Sequence, residues 1–222
     1  MNHTITNAIP VVLRHLKHLD TAISSVLQQT LLPNEIIIII SEYSKDEIND
    51  NLLIKIQDEI KKHNISCIIK TFDGRQLSGM NRQIAYDLCS SDIIIFQDCD
   101  DWAHKQRNEI FVKTHEKTKS PHILHGWTAD QNAKNKDIDI NNLIISDRIN
   151  EVCTHNGAIF INKSIIGQLT FPNPQGGRPP GLGEDKELNN LLKSKCKSII
   201  IENNDIYIYN RHLSSWAKAN RL

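Results

Sequence analysis

Short apolar runs alternate with segments of helical periodicity over the first hundred residues. The isoleucines at 36–40 form an apolar run without alternation, which is typical of a strand buried on both faces of a parallel sheet. Such alternation predicts an α/β fold with a mostly parallel central sheet, flanking helices and ligands beyond the carboxyl ends of the strands. The predicted strands are residues 10–13, 35–40, 65–70 and 93–96, and the predicted helices are 19–29, 46–63 and 77–88.

The second half of the chain is less regular. A polar stretch at 129–142 precedes an apolar run at 157–161, and a loop rich in proline and glycine occupies 171–183. The pattern then predicts a helix near 184–193 and strands near 198–201 and 206–209. We find no repeat and no long linker, and 222 residues suit one substantial domain, so we expect a single domain over 1–222.

The composition argues against several classes of protein. Lysine plus arginine and aspartate plus glutamate both number 26, so no long-range field points to nucleic acid or an anionic membrane. The five cysteines are scattered without a CxxC pair, which argues against a disulfide framework and a structural zinc site. No apolar segment is long enough to cross a bilayer, and the first residues do not resemble a signal peptide. We therefore expect a soluble cytoplasmic protein.

Three carboxylates follow the predicted strand at 93–96. Asp98, Asp100 and Asp101 lie within four residues, and carboxylates this close repel one another unless a cation neutralises them. Their oxygens suit Mg²⁺ or Mn²⁺, which commonly binds protein carboxylates together with substrate phosphates. The pattern thus points to a metal-bound diphosphate. The alternative is that Asp100 and Asp101 only cap the following helix.

Several segments, taken in order, resemble the family 2 glycosyltransferases. Residues 9–11 resemble the first strand of the family, residues 22–30 resemble the helix that follows it, and residues 33–40 resemble the second strand. Residues 79–85 resemble the family's Ala-Arg-Asn-x-Gly helix, and 91–102 resemble the strand that ends in Asp-x-Asp. Glu184 and Asp185 resemble the Glu-Asp motif, and 209–214 resemble a C-terminal Tyr-Arg-x-His-x-x-Ser stretch. The sequence departs from the family pattern at Ser41, Tyr43 and Gln83.

The resemblance implies a GT-A fold and an inverting, metal-dependent transfer of sugar from a nucleotide-sugar, with a UDP-sugar as the expected donor. A glycan or another hydroxyl compound would be the acceptor. It also divides the domain into a nucleotide-sugar-binding half at about 1–102 and an acceptor-binding half at about 103–222.

The resemblance also assigns roles to individual residues. Asp98 would lie near the ribose and the metal, Asp100 would ligate Mn²⁺ or Mg²⁺, and His212 could be a further ligand. Glu42 would contact the base and Arg82 the base or phosphate. Asp185 would be the general base that takes the acceptor proton. The alternatives are that His212 is an ordinary surface or core histidine and that Glu184 and Asp185 only stabilise a helix N-terminus.

Two other functions share these features. A sugar nucleotidyltransferase also needs a nucleotide pocket and metal-binding carboxylates, but it would want a glycine-rich basic loop near the N-terminus, where this chain has Leu13-Arg14-His15. A degenerate domain that binds a nucleotide-sugar or glycan without turnover would explain Ser41, Tyr43 and Gln83. The joint presence of Asp98, Asp100, Asp185 and His212 favours an enzyme.

Overall fold

A computed structural model describes residues 3–43, 50–76, 78–149, 156–172 and 184–210. Strands and helices alternate through the first half. The strands are β1 (Ile5–Val12), β2 (Glu35–Ser41), β3 (Ser66–Phe72), β4 (Ile93–Phe96), β5 (Trp102–Ala103), β6 (His122–His125), β7 (Ile145–Ser146), β8 (Ile159–Asn162), β9 (Ser198–Ile201) and β10 (Tyr207–Ile208). The α-helices are α1 (Leu19–Leu27), α2 (Asp50–Lys62), α3 (Ser78–Leu88), α4 (Arg107–Thr118), α5 (Lys163–Ile166) and α6 (Glu184–Lys195).

Eight strands form one sheet in the order β3-β2-β1-β4-β8-β6-β9-β7. The first four in that order are parallel, and β6 and β9 are parallel to each other, whereas β8 and β7 run antiparallel to their neighbours. A separate antiparallel pair joins β10 to β5. The predicted α/β class with a mostly parallel sheet flanked by helices is confirmed.

The sheet is buried between two layers of helices. Alternate isoleucines of β2 contact different layers: Ile36, Ile38 and Ile40 pack with residues of α1 and α2, whereas Ile37 and Ile39 pack with residues of α3 and α6. All seven residues of β2 are buried. The prediction of a strand buried on both faces is therefore correct.

The first strand is longer than the sequence pattern predicted. It begins at Ile5 rather than at residue 10. The prediction started too late because two polar residues near the start of the strand interrupt the apolar pattern, although both are buried and have hydrogen-bond partners. Thr6 Oγ1 donates to Glu35 Oε2 at 2.7 Å, and the Asn108 amide donates to Asn7 Oδ1 at 2.9 Å. Buried polar groups satisfied in this way interrupt the apolar pattern without interrupting the strand.

Helix α4 and strand β6 were not predicted, and both carry polar residues on their buried faces. Arg107, Asn108 and His115 of α4 are buried, and β6 both begins and ends with a buried histidine. Hydrophobic periodicity cannot detect elements whose inward side chains are polar. In the described part of the chain, no helix combines the length and apolar character needed to cross a membrane.

Candidate active site

The carboxyl ends of β1, β2 and β4 meet at one edge of the sheet. Strand β1 lies between β2 and β4, and the chain passes from β1 to β2 on one side and later returns to β4 on the other. The strand order therefore reverses between β1 and β4, which is where open α/β sheets bind ligands. A 3₁₀ helix at Leu13–His18 follows β1, Glu42 follows β2, and Gln97 and Asp98 follow β4.

Asp98 forms an ion pair with Arg82 at this edge. Arg82 Nη2 donates to Asp98 Oδ1 at 2.7 Å, and the two side chains are 6% and 28% exposed, respectively. The backbone N–H of Asp98 donates to the hydroxyl of Tyr207 at 3.0 Å. Helix α3 and strand β10 thus fix Asp98 from two sides while part of its carboxylate faces solvent.

Asp100 lies beside a histidine that comes from the end of β1. His15 Nδ1 is 3.4 Å from Asp100 Oδ2, and both side chains are about 15% exposed. The sulfur of Cys99 is also close, and one donor atom from each of His15, Cys99 and Asp100 lies within 4.8 Å of the other two. Among the residues that the structure describes, this is the cluster whose geometry suits a metal ion.

Asp101 is the buried member of the acidic cluster. The backbone N–H of Asn210 donates to Asp101 Oδ1 at 2.9 Å, and the Asn210 amide donates to the carbonyl of Asp100 at 2.7 Å. Burial, and next the charges of Asp98 and Asp100, hold the pKa of Asp101 well above its usual range. Local positive charge at this edge of the sheet would therefore stabilise the ionised cluster.

A fully buried arginine lies beneath the cluster. Arg107 donates from Nη2 to the carbonyls of Phe96 and Gly157 at 2.7 and 2.8 Å and from Nε to His125 Nε2 at 2.8 Å. Burial lowers the pKa of Arg107 to about 10, while the charges of Tyr207, Asp98 and Asp101 act in the opposite direction. The guanidinium joins the end of β4 to the backbone that precedes β8.

Gly157 leaves space for the Asp98 carboxylate. A Cβ atom at position 157 would lie 2.8 Å from Asp98 Oδ2 and 2.8 Å from the hydroxyl of Tyr207. These separations are shorter than non-bonded contacts allow, so a side chain at this position would displace one of its two neighbours.

Glu42 occupies an uncommon backbone conformation at the end of β2. Its φ is 62°, in the left-handed region that residues other than glycine rarely adopt, and such conformations cluster at functional sites. Its carboxylate lies 3.6 Å from Arg75 Nε and is 30% exposed. The next residue, Tyr43, is buried in the core. Glu42 is thereby held at the site edge.

The structure brings together some of the predicted site residues. Arg82 and Asp98 are in contact, Asp100 is two residues further, and Glu42 lies at the exit of β2, two strands from β4. Asp185 is the second residue of α6, but its side chain lies outside the described part of the chain, and so does His212.

The sequence analysis did not identify four residues of the site: His15, Arg107, Tyr207 and Asn210. The position of His15 just beyond a predicted strand was a usable signal.

Comparison with known proteins identifies relatives of the fold. The family model described as glycosyl transferase family 2 matches residues 8–165. The crystal structure of S. aureus TarS 1–349 aligns with a TM-score of 0.69 at 12% identity, covering 93% of this chain and 60% of that one. The mannosyltransferase PcManGT from Pyrobaculum calidifontis, in complex with GDP-Man and Mn²⁺, aligns with a TM-score of 0.67 at 11% identity, covering 97% and 59%.

A TarS complex with UDP-GlcNAc aligns with a TM-score of 0.67 at 11% identity, covering 98% of this chain and 61% of that one. The chain thus spans about three-fifths of the length of these structures, and at such identities the likeness concerns the fold. No curated protein sequence matches the chain significantly.

Proposed function

This chain belongs to glycosyl transferase family 2, and from that premise we propose that it transfers a sugar from a nucleotide-diphosphate sugar to an acceptor hydroxyl. The observation that carries the proposal is the group Arg82, Asp98 and Asp100 at the switch point between β1 and β4. A diphosphate bound there would lie at the carboxyl ends of parallel strands, where this class of sheet binds its ligands.

The donor nucleotide would contact the residues at the ends of β2 and β4. Glu42 would accept hydrogen bonds from the base, and Asp98 would lie near the ribose. Arg82 is fixed by Asp98 and would face the base or the phosphates with a planar donor group. A UDP-sugar is the proposed donor, and the complexes of TarS with UDP-GlcNAc and of PcManGT with GDP-Man support a nucleotide-sugar in this fold.

The acidic cluster fits a divalent cation, because the Asp100 carboxylate lies among other donor atoms and the pKa of Asp101 is held high. Asp98, Asp100 and His212 would hold Mn²⁺ or Mg²⁺. Such an ion supplies Lewis-acid stabilisation of the departing nucleoside diphosphate. Arg107, buried beneath the cluster, holds the carbonyl of Phe96 and so fixes the point at which Asp98 leaves the sheet.

Asp185 is the proposed general base. Its carboxylate would take the proton of the acceptor hydroxyl while the acceptor oxygen bonds to the anomeric carbon. The bond from that carbon to the diphosphate breaks, and its electron pair leaves with the nucleoside diphosphate. Direct attack on the face opposite the leaving group inverts the anomeric centre.

A second candidate is binding of a nucleotide-sugar without turnover. Tyr43 is buried in the core just after Glu42, and Ser41 Oγ contacts Asn81 Nδ2 at 3.1 Å, so the end of β2 is closely packed where the family usually carries Asp-Asp-Gly-Ser. A donor pocket altered in this way could retain affinity but lose catalysis. The two candidates differ in one observable, the metal-dependent release of nucleoside diphosphate.

The test is incubation with a panel of nucleotide-sugars, including UDP-GlcNAc and GDP-mannose, together with Mn²⁺ or Mg²⁺. Released nucleoside diphosphate is measured for the wild type and for Asp100→Ala, Asp185→Asn and the control Asp58→Asn, an exposed carboxylate on α2. We expect release from one donor, abolished in Asp100→Ala, reduced in Asp185→Asn and unchanged in Asp58→Asn.

Calorimetric titration with UDP and GDP separates the remaining outcomes. Binding without release, even when candidate glycan acceptors are added, would support the second candidate. No binding of either nucleotide would contradict both.

A further inference from the structure

We propose that His15 and Cys99 are additional ligands of the metal beside Asp100, so that the site selects Mn²⁺ or another transition metal over Mg²⁺. This inference rests on the proposed metal dependence and goes beyond it, because the family resemblance assigns only Asp98, Asp100 and His212 to the metal. It concerns which ion the site binds rather than which reaction follows.

His15 reaches the acidic cluster because of the sheet order. Strands β1 and β4 are parallel neighbours, so the segments that follow them leave the sheet side by side. The 3₁₀ helix at Leu13–His18 turns the chain immediately after β1, which places the His15 ring over the segment that carries Asp100. The two residues are 85 positions apart in sequence and meet only through this strand pairing.

The distances suit shared ligation. His15 Nδ1 and Asp100 Oδ2 are 3.4 Å apart, and all three donors, including the Cys99 sulfur, lie within 4.8 Å of one another. Ligands bonded to one ion at about 2.1–2.3 Å can be at most about 4.5 Å apart, so small side-chain adjustments would suffice. Both His15 and Asp100 are partly exposed, which leaves a face of the ion open to substrate phosphates.

The ring of His15 must adopt one tautomer for this role. Arg14 Nε lies 3.3 Å from His15 Nε2 and donates to it, an arrangement that puts the ring proton on Nδ1. Ligation through Nδ1 moves the proton to Nε2 and releases the exposed Arg14 contact. The second nitrogen of a metal-bound histidine commonly donates to a carbonyl, a carboxylate or water, so solvent can take over this position.

The donor types determine the ion. Carboxylate and water ligands suit both Mg²⁺ and Mn²⁺, whereas imidazole is a ligand of transition metals and thiolate selects soft ions. On binding, the buried Cys99 thiol would lose its proton to solvent and bind as the thiolate. The His15 nitrogen would raise the affinity for Mn²⁺ above that for Mg²⁺, and the thiolate would raise mainly the affinity for a thiophilic ion such as Cd²⁺. The ring nitrogen of His15 adds little to the binding of Mg²⁺, so its loss should change selectivity rather than abolish binding.

The experiment measures metal binding without turnover. Mn²⁺ and Mg²⁺ are titrated into the full chain in the presence of UDP, and Cd²⁺ is titrated separately while the ultraviolet charge-transfer band of a cadmium thiolate is recorded. The variants are His15→Ala, Cys99→Ser and Asp100→Asn. The matched controls are His63→Ala and Cys67→Ser, which lie near the amino end of β3 at the opposite edge of the sheet.

We expect His15→Ala to weaken Mn²⁺ binding by about tenfold or more, while Mg²⁺ binding changes by less than about threefold. The loss of a residue that only supports a metal ligand already reduces metal affinity by about 10–100-fold, so the loss of a ligand itself should have at least this effect. Cys99→Ser should remove the cadmium band, and Cys67→Ser should retain it. Circular dichroism of each variant checks that the fold is intact.

Two results would overturn the inference, and they differ in what else they affect. If Asp100→Asn loses Mn²⁺ and His15→Ala does not, His15 is not a ligand and the proposed function stands. If the wild type binds neither Mn²⁺ nor Mg²⁺ with UDP present, the metal dependence of the proposed function fails as well.

Discussion

Arg82 Nη2 lies 2.7 Å from Asp98 Oδ1, and this ion pair joins α3 to the segment that leaves β4. The arginine is almost completely buried while the aspartate is partly exposed. Loss of the cation would therefore leave a carboxylate that is still partly solvated but has lost its contact with α3. The pair connects the stability of the sheet edge to its expected affinity for the donor.

Arg82→Met tests this connection. We expect the free energy of unfolding to fall by about 1–3 kcal/mol, the usual range for hydrogen bonds to charged groups, and the Kd for UDP to rise by about tenfold or more. Urea unfolding and calorimetry measure the two effects. In the control Arg148→Met, which removes an exposed ion pair with Glu202, stability should change little and UDP affinity should be unchanged. Equal effects in both variants would contradict the prediction.

Gly157→Ala should disturb the position of Asp98. The added Cβ would lie 2.8 Å from both Asp98 Oδ2 and the Tyr207 hydroxyl, so one of these groups must move. We expect a loss of about 1–3 kcal/mol in stability, together with weaker UDP binding. Gly74→Ala is the control, because nothing lies within 4 Å of a Cβ atom there. A Gly157→Ala protein with normal stability and normal UDP binding would contradict the prediction.

Glu42→Gly should separate stability from donor binding. Glycine adopts the left-handed conformation without strain, so the free energy of unfolding should stay equal or rise by up to about 1 kcal/mol. The Kd for UDP should rise because the carboxylate is lost. Lys119→Gly relieves the same strain at φ 57° at the end of α4 and should leave UDP binding unchanged. Unchanged UDP affinity in Glu42→Gly would exclude a base contact by this residue.

His122 should make the protein less stable in acid. Burial lowers the pKa of His122 to about 3, below its value in the unfolded chain, so the unfolded state binds a proton first as the pH falls. Its contribution is complete above about pH 6.5 and decreases toward pH 3, by about 2 kcal/mol at pH 5. Urea unfolding of His122→Gln at pH 7 and pH 5 should show a smaller pH effect than the wild type, whereas His63→Gln, at an exposed histidine, should retain it. An identical pH effect in His122→Gln would contradict the assignment.

Hydrophobic pattern predicted the elements whose inward residues are apolar. The isoleucine run of β2, the helix at Leu19–Leu27 and the strand before Asp98 all follow this rule. The start of β1 and helix α4 do not, since Thr6, Asn7 and Arg107 are buried by pairing with distant partners rather than by being apolar. Such partners are known only after the sheet order is known.

The same limit applies to the site. The Asp-x-Asp segment is local in sequence and could be recognised by resemblance, and Arg82 was placed near it by a second motif. His15, Tyr207 and Asn210 reach the cluster from other parts of the chain. His15 follows a predicted strand and Asn210 lies in the 209–214 segment, but neither position alone indicates contact with the acidic cluster. Their roles follow from strand pairing.

The contact between Asn210 and the acidic segment determines when the site can form. Asn210 donates to the carbonyl of Asp100 across 110 positions and to the carboxylate of Asp101 across 109. A ribosome synthesises the strand that leads to Asp98 long before it synthesises the residue that closes the cluster, and chains generally fold from the N-terminus onward during synthesis. We therefore expect the nascent chain to acquire its nucleotide-facing strands early and its complete acidic cluster only after Asn210 has been synthesised.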